Sequence, residues 1–568
     1  MTFPYNLKKV TLLALNTVLL QYAFAQEQSP KKADGPYRNG MVVCATPEGS
    51  KAGLDILKKG GNAVDAAVAV QFALAVTHPE AGNIGGGGFM VYRSSKGKTK
   101  TLDFREKAPN AASENMYLDS AGNVIPDMSL YTHQASGVPG SVDGMVSAYK
   151  KYGTLKWEDL VQPAIDLAHN GFKITARLAR SLNREATQFK KLNPGKTYLL
   201  KDSEWKEGDV LVQEDLAKTL ELIRDKGRKG FYDGKVADEL VKEMNNGKGI
   251  ISKADLKKYH SVWRKAITGS YKGYKIITMP PPSSGGIALL QLLHAVENYP
   301  LHRWGYNRDS TVQLIVEAER RVYADRSKYL GDPDFYKVPV DSLLKPAYIK
   351  LRMSNFSWDA ATPSSAIQPG SFVGYESDQT THFSIVDREG NSVAITTTLN
   401  DSFGSKIFVA GAGFLLNNEM DDFSSKPGVP NMFGLVGGKA NSIQPGKRML
   451  SSMTPTIIEK NGKLFMVVGT PGGSTIITSV FQTILNVIEF DQDMQTAVTS
   501  KRFHHQWLPD QMNIERNAFD AATVEKLQKK GYKIINGGVG GRVDAILIKD
   551  GYYEGGADPR GDDAKLGW

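Results

Sequence analysis

Two alternating runs, Thr380 to Asp387 and Asn391 to Leu399, meet across Arg388-Glu389-Gly390, and that short connection decides how this stretch folds. A three-residue loop with Gly in third place suits a type I turn closed by a left-handed residue, so the spacing predicts a β-hairpin. If Asp387 pairs with Asn391, Thr380 falls opposite Thr398. Directly opposed residues share one face of a sheet. One face then carries Phe383, Ile385, Val393 and Ile395; the other carries Thr380, His382, Ser384, Thr396 and Thr398. The apolar face is expected to pack, and chemistry is expected on the hydroxyl-rich face.

The hairpin starts abruptly. Ala361 to Gln379 is Ser, Pro, Gly and polar without periodicity, the pattern of a mobile linker. Upstream, Ala63 to Val76 is apolar nearly all round, begins after Asn62 and stops before Pro79, which predicts a buried helix too short to span a bilayer. Gly85 to Gly88 and Phe89-Met90-Val91-Tyr92 read as a tight turn feeding a strand, and Lys100 to Phe104 as a strand delivering Arg105. From about Trp157 to Lys350 amphipathic helices dominate, with Leu160, Ala164, Ile165 and Ala168 as one stripe and Leu314, Ala318 and Val322 as another. Pro280 to Gly286 could line a cleft but reads more safely as a simple turn; Ser424 to Lys447 reads as a Gly/Pro-rich lid, and Leu464 to Val468 as a strand entering Gly469-Thr470-Pro471-Gly472-Gly473-Ser474. Strands and helices interleave along the chain, so the expected class is layered α/β with largely antiparallel sheets.

The ends and the charge narrow the function. Lys8 and Lys9 precede an apolar run from Val10 to Leu20, and Ala23-Phe24-Ala25 supplies a cleavage pattern, so residues 1–25 read as a secretory signal. Asn16 and Thr17 interrupt the run, which is shorter than the roughly 20 residues a membrane span needs. The expected location is periplasmic or secreted. The formal net charge of +10 becomes +8 without Lys8 and Lys9, and it is spread without basic blocks, which argues against nucleic-acid binding. Cys44 is the single cysteine, so no intrachain disulfide forms.

Most reactive signatures are missing. No G-x-S-x-G elbow and no H-E-x-x-H or Cys/His cluster occurs, and His504-His505 reads as packed or solvated. Gly97-Lys98-Thr99 and Gly195-Lys196-Thr197 lack the preceding Gly of a phosphate loop, having Tyr92 and Lys190 there. A threonine freed by cleavage of the bond before it would carry its own base, since an α-amino group titrates near 7.7–8.0.

Five stretches then resemble the γ-glutamyltranspeptidases: Asp103 to Pro109, Thr380 to Ser384, Leu416 to Phe423, Ser451 to Thr456 and Gly469 to Gly473. The resemblance implies an N-terminal-nucleophile hydrolase, an αββα sandwich of two stacked, largely antiparallel sheets flanked by helices. It implies a zymogen cut between Gln379 and Thr380 into a large subunit, 26–379, and a small catalytic subunit, 380–568, which form one body as a heterodimer. By resemblance Thr380 is the nucleophile and Thr398 holds its groups. Arg105, Ser451 and Ser452 match residues that grip the glutamyl α-carboxylate; Asn400, Glu419 and Asp422 match those that hold its α-ammonium. The N–H groups of Gly472 and Gly473 match the oxyanion hole. Phe433 falls near the lid tip where many bacterial members have Tyr, and Glu419 replaces a Gln common in some bacterial members. The expected reaction attacks glutathione and other γ-glutamyl compounds and passes the glutamyl group to water or to acceptor amino acids or peptides. No cofactor and no metal is implied. A cephalosporin or other acyl-amide acylase on the same scaffold would not need the charged clamp, and a non-catalytic amino-acid-binding protein would stay one chain.

Overall fold

The hairpin forms as the spacing predicts. Gln379–Val386 pairs with Ser392–Asn400, Gly390 turns with φ of 85°, and Thr380 lies directly opposite Thr398. The Asp387 carboxylate accepts from the amides of Asn391 (2.8 Å) and Glu389 (3.1 Å), which closes the loop. Its other oxygen accepts from the Ala63 amide at 2.9 Å, so the hairpin also holds the start of a helix. This computed structural model describes residues 37–195, 197–368, 379–426 and 439–568. The expected signal at 1–25, linker residues 369–378 and lid residues 427–438, with Phe433, lie outside the described residues.

The hairpin occupies the middle of a seven-stranded sheet. Ala564–Gly567 and Met41–Cys44 lie on one side, and Gly87–Arg93, Thr99–Asp103 and Val262–Arg264 on the other, every pairing antiparallel. A second, six-stranded antiparallel sheet runs Tyr552–Gly556, Asp544–Lys549, Lys463–Gly469, Thr456–Lys460, Tyr274–Thr278 and Ile267–Tyr271. Residues Arg38–Trp568 form one compact unit, in which both sheets take strands from before and after Gln379.

The sheets stack through the polar face of the hairpin. His382 bonds Thr396 at 2.8 Å and Ser384 at 3.1 Å, and Ser384 donates to the Asp544 carbonyl of the second sheet at 3.0 Å. Gly469 lies against the imidazole, where a Cβ would come within 2.3 Å of the ring. This corrects the expectation for that face: His382, Ser384 and Thr396 are fully buried sheet-to-sheet packing, and only its Thr380–Thr398 end reaches a cavity. Burial alone pushes the His382 pKa down to about 3, because a charged ring between two sheets has no water to solvate it.

Helices cover both outer faces. Ala63–Thr77 is buried along its whole length against the apolar face of the hairpin, capped by Asn62 and Asp65 in a reciprocal box. Each of its larger side chains, Phe72 and Leu74 among them, contributes about 2 kcal/mol by leaving water. Gly285–Val296, Asp309–Tyr329 and Thr475–Ile488 pack together over the second sheet. The layers are helix, sheet, sheet, helix.

Three local expectations need correction. Asp309–Tyr329 is not amphipathic in place, because its charged residues from Glu317 to Lys328 are buried with its apolar ones. Ion pairs such as Arg321–Glu317 at 2.6 Å and hydrogen bonds such as Tyr532 to Glu317 at 2.9 Å replace the water. The first part of the expected linker is tied down: Ser364 donates to the Trp507 carbonyl at 2.6 Å and accepts from the Trp507 indole through its own carbonyl at 3.0 Å. Pro280–Gly286 is more than a turn, as the site shows.

Candidate active site

The end of the hairpin is built by close backbone approach. Gly87 pairs with Thr398, and the preceding Gly86 lies against the Thr398 carbonyl. Asn83 fastens the same place, donating to the Thr398 carbonyl at 2.9 Å and to the Thr397 hydroxyl at 3.1 Å. After Thr398 the register slips, Asn400 takes a left-handed φ of 78°, and its amide donates to the Thr398 hydroxyl at 2.8 Å. A hydroxyl that accepts in this way keeps its own hydrogen to donate.

One cavity gathers the candidates that sequence scattered over about 350 positions. Thr380, Thr398 and Asn400 line it from the hairpin, Arg105 from the loop after Thr99–Asp103, and Glu419 and Asp422 from a short 3-10 turn. Ser451, Ser452, Met453 and Ile476 complete it. The space between them is about 10 Å³, room for about one water.

Arg105 is the centre of its charge. The buried guanidinium donates to the carboxylates of Glu419 and Asp422 and lies 3.5 Å from Glu106. It also donates to the carbonyls of Leu450 (3.2 Å) and Met449 (3.4 Å). Three carboxyls thus face one cation. Burial pushes the Glu106 carboxyl up to about 8 and Glu419 well above the usual carboxylate range, although the Arg105 charge opposes both shifts. The Oε2 of Glu419 and the Oδ1 of Asn400, both buried on this cavity, have no hydrogen-bond partner among the described residues. An excess of buried acid with two unused acceptors suits an ammonium group.

The serines are held from behind. Ser451 donates its amide to the Pro282 carbonyl at 3.0 Å, and the Ser284 amide donates to the Ser451 carbonyl at 2.6 Å. Ser283 donates to the Met453 carbonyl at 2.7 Å, and Arg326 reaches Ser284 at 2.9 Å and Ser452 at 3.3 Å. Pro280–Gly286 is therefore a buried bracket for the Ser451–Ser452 loop. Sequence reasoning missed this bracket, as it missed Asn83, Glu106 and Arg326; Glu106 had a signal, standing beside Arg105.

Gly472 and Gly473 are placed differently. They follow Lys463–Gly469 with φ of 130° and 55°, conformations that favour glycine. Gly472 lines a neighbouring cleft, while Ile476, one turn on, lines the cavity of Thr380. The Tyr323 hydroxyl donates to the Ser474 carbonyl and braces this turn.

The model of the family described as gamma-glutamyltranspeptidase matches residues 49–568. The chain belongs to that family. A glutathione hydrolase proenzyme from Escherichia coli (strain K12) is 46% identical over 578 aligned positions that cover 100% of both chains. The crystal structure of Helicobacter pylori γ-glutamyltranspeptidase is 48% identical over 60% of this chain and 97% of its own, with a TM-score of 0.57. A cephalosporin acylase structure from Bacillus halodurans is similar over 96% of this chain and 98% of its own, with 26% identity and a TM-score of 0.84. The αββα layering is thus that of known γ-glutamyltranspeptidases and their acylase neighbours, and the chain is an enzyme of the hydrolase and transferase kind.

Proposed function

We propose that this γ-glutamyltranspeptidase family member cuts itself before Thr380 and then hydrolyses or transfers the γ-glutamyl group of glutathione and related compounds outside the cytoplasm. The observation that carries the reading is the meeting of Thr380 and Thr398 with Arg105, Glu419 and Asp422 on one cavity. In the first step the Thr380 hydroxyl attacks the Gln379 carbonyl carbon, the peptide C–N bond breaks, and water cleaves the resulting ester. The freed α-amino group then takes the Thr380 hydroxyl proton. Arg105, Ser451 and Ser452 bind the substrate α-carboxylate, and Asn400, Glu419 and Asp422 bind its α-ammonium. For that, Arg105 exchanges part of its pairing with Glu419 and Asp422 for the incoming carboxylate, and the acids turn to the ammonium. Holding both charges delivers the γ-carbonyl to Thr380, an orientation effect. The Gly472 and Gly473 amides stabilise the oxyanion. The amide C–N bond breaks, the leaving amine receives the proton, and water or an acceptor amine releases the glutamyl ester and restores the Thr380 hydroxyl.

An acylase acting on uncharged acyl chains would have no use for three buried carboxyls around one guanidinium, which favours the γ-glutamyl reading. Incubating the purified chain, separating it on a denaturing gel and sequencing the smaller fragment tests the proposal. The smaller fragment should begin at Thr380 and the pair should release the amine from γ-glutamyl-p-nitroanilide. A chain that remains whole yet binds glutamate would refute it.

A further inference from the structure

A second cavity is lined at two places by residues close in the chain to those that line the one at Thr380. Asn400 lines the first and Ser402, two residues on, lines the second; Ile476 lines the first and Gly472, four residues earlier, lines the second. The second is an open cleft of about 330 Å³, the size of a small-ligand site, against about 10 Å³ for the first. Its remaining wall carries four arginines, the neutral Ser181, Pro471, Gly540 and Gly541, and one acid, Glu80. Arg177, Arg180 and Arg184 come from one face of the helix Ala176–Leu192, spaced three and four residues apart, and Arg542 comes from the segment before Asp544–Lys549.

These cations are not equivalent. Arg177 is held by Glu80 at 2.6 Å and Asp562 at 2.9 Å, and Arg184 by Glu185 at 2.9 Å and Ser181 at 3.1 Å. Arg542 stands 3.9 Å from Asp563 and 3.2 Å from His78. Arg180 is exposed, and no ion pair ties it among the described residues. It is the guanidinium left to receive an anion from solvent.

We infer that this cleft binds the free carboxylate of the amine-side partner, the peptide that leaves the γ-glutamyl group or the amino acid or peptide that accepts it, with Arg180 as its principal contact. The inference deepens the proposed function and rests on it. In a γ-glutamyl substrate the part beyond the scissile bond must pass the oxyanion turn, and Gly472 is where that turn faces the cleft. On leaving, the amine nitrogen takes the proton given up by Thr380. In transfer an acceptor nitrogen bonds to the ester carbonyl carbon, loses a proton, and the C–O bond to Thr380 breaks with that proton restored to the oxygen. A carboxylate held by Arg180 anchors the nitrogen in both directions, and a planar guanidinium is suited to grip it with two hydrogen bonds.

The test compares glutathione with its C-terminal amide as substrates of the mature enzyme. The wild type should favour the free acid by about tenfold in kcat/KM, the lower end for a hydrogen bond to a charged group because Arg180 is exposed. The preference should shrink as salt is raised. Arg180→Ala should bring the ratio close to one, and Arg180→Lys should keep most of it. Equal use of acid and amide by the wild type, or a full preference retained in Arg180→Ala, overturns the assignment. The wild-type comparison at low and high salt decides the matter even if a variant fails to mature. Failure to cleave γ-glutamyl-p-nitroanilide as well would overturn the γ-glutamyl reading itself; cleavage of the anilide without an acid preference would overturn only the cleft.

Discussion

A Cβ placed on Gly86 would lie 2.0 Å from the carbonyl oxygen of Thr398. The overlap is with backbone, so no side-chain rotation relieves it. Gly86→Ala must push Thr398 out of register with Thr380 or open the sheet, at a cost of about 3 kcal/mol. Expressed Gly86→Ala should accumulate as uncut chain on a denaturing gel, while the wild type separates into two bands. Normal maturation would show that the strand end yields more easily than its packing implies.

Thr380→Ala removes the one hydroxyl that the proposed chemistry uses twice. The variant should stay full length, and its γ-glutamyl anilide hydrolysis should fall by on the order of a millionfold. Thr380→Ser keeps a hydroxyl and should still mature. Two fragments from Thr380→Ala would move the cleavage elsewhere.

Arg105→Ala would leave Glu106, Glu419 and Asp422 buried without the guanidinium that faces them. Breaking such a network from the cationic side costs about 3–5 kcal/mol, so the melting temperature should fall. The KM for γ-glutamyl substrates should rise by on the order of a hundredfold through loss of two charge-assisted hydrogen bonds. Arg105→Lys should recover stability better than KM, because an ammonium supplies charge without the planar fork. Equal recovery of both would argue that Arg105 is only structural.

His382 should leave a mark on acid stability. The folded chain refuses its proton until about pH 3, whereas the unfolded chain accepts it near 6.5. Stability from the neutral ring is therefore complete above about pH 6.5 and is lost progressively as pH falls toward 3. His504 and His505, each lowered to about 4, act in the same sense, so the comparison must be with a variant. In a Thr380→Ala background, which is expected to keep one chain, His382→Gln should reduce the slope of unfolding free energy between about pH 4 and 6 by up to about 1.4 kcal/mol per pH unit. Parallel urea-midpoint curves for the two proteins would contradict this.

What could be read without coordinates was whatever depends on local order. The Gly390 turn set the register, and the register put Thr398 opposite Thr380 before any third element was considered. Asn62 and Pro79 bounded the helix Ala63–Thr77 to within about a turn. The unread part is what only stacking creates. The face of His382 and Ser384 looked available because alternation shows which residues share a side and not what covers that side. Pro280–Gly286 looked like a turn because nothing in its neighbours announces Ser451, which is nearly 170 positions away. The pairing of Arg105 with Glu419 and Asp422 was hidden for the same reason: the resemblance assigned them to opposite ends of a substrate, and the fold brings them together.

Tyr323 offers a test of the oxyanion role proposed for the Gly472–Gly473 turn. Its ring lies on the buried helix Asp309–Tyr329, and its hydroxyl donates to the Ser474 carbonyl, immediately after Gly473. The Ser474 hydroxyl donates to the Gln506 side-chain carbonyl at 2.7 Å, so the turn is fastened through both its backbone and its side chain. Tyr323→Phe keeps the ring contacts with His504, centroids 5.5 Å apart, and removes only the donor. Leaving the buried carbonyl short of one partner costs about 1–3 kcal/mol, much of it as freedom of the turn to move. If Gly472 and Gly473 stabilise charge that exists only in the transition state, the loss belongs in kcat, by roughly 10- to 100-fold, with KM little changed. Maturation should slow in proportion, since self-cleavage passes through an oxyanion of the same kind. A variant with raised KM and intact kcat would place Tyr323 in substrate binding and take the turn out of catalysis.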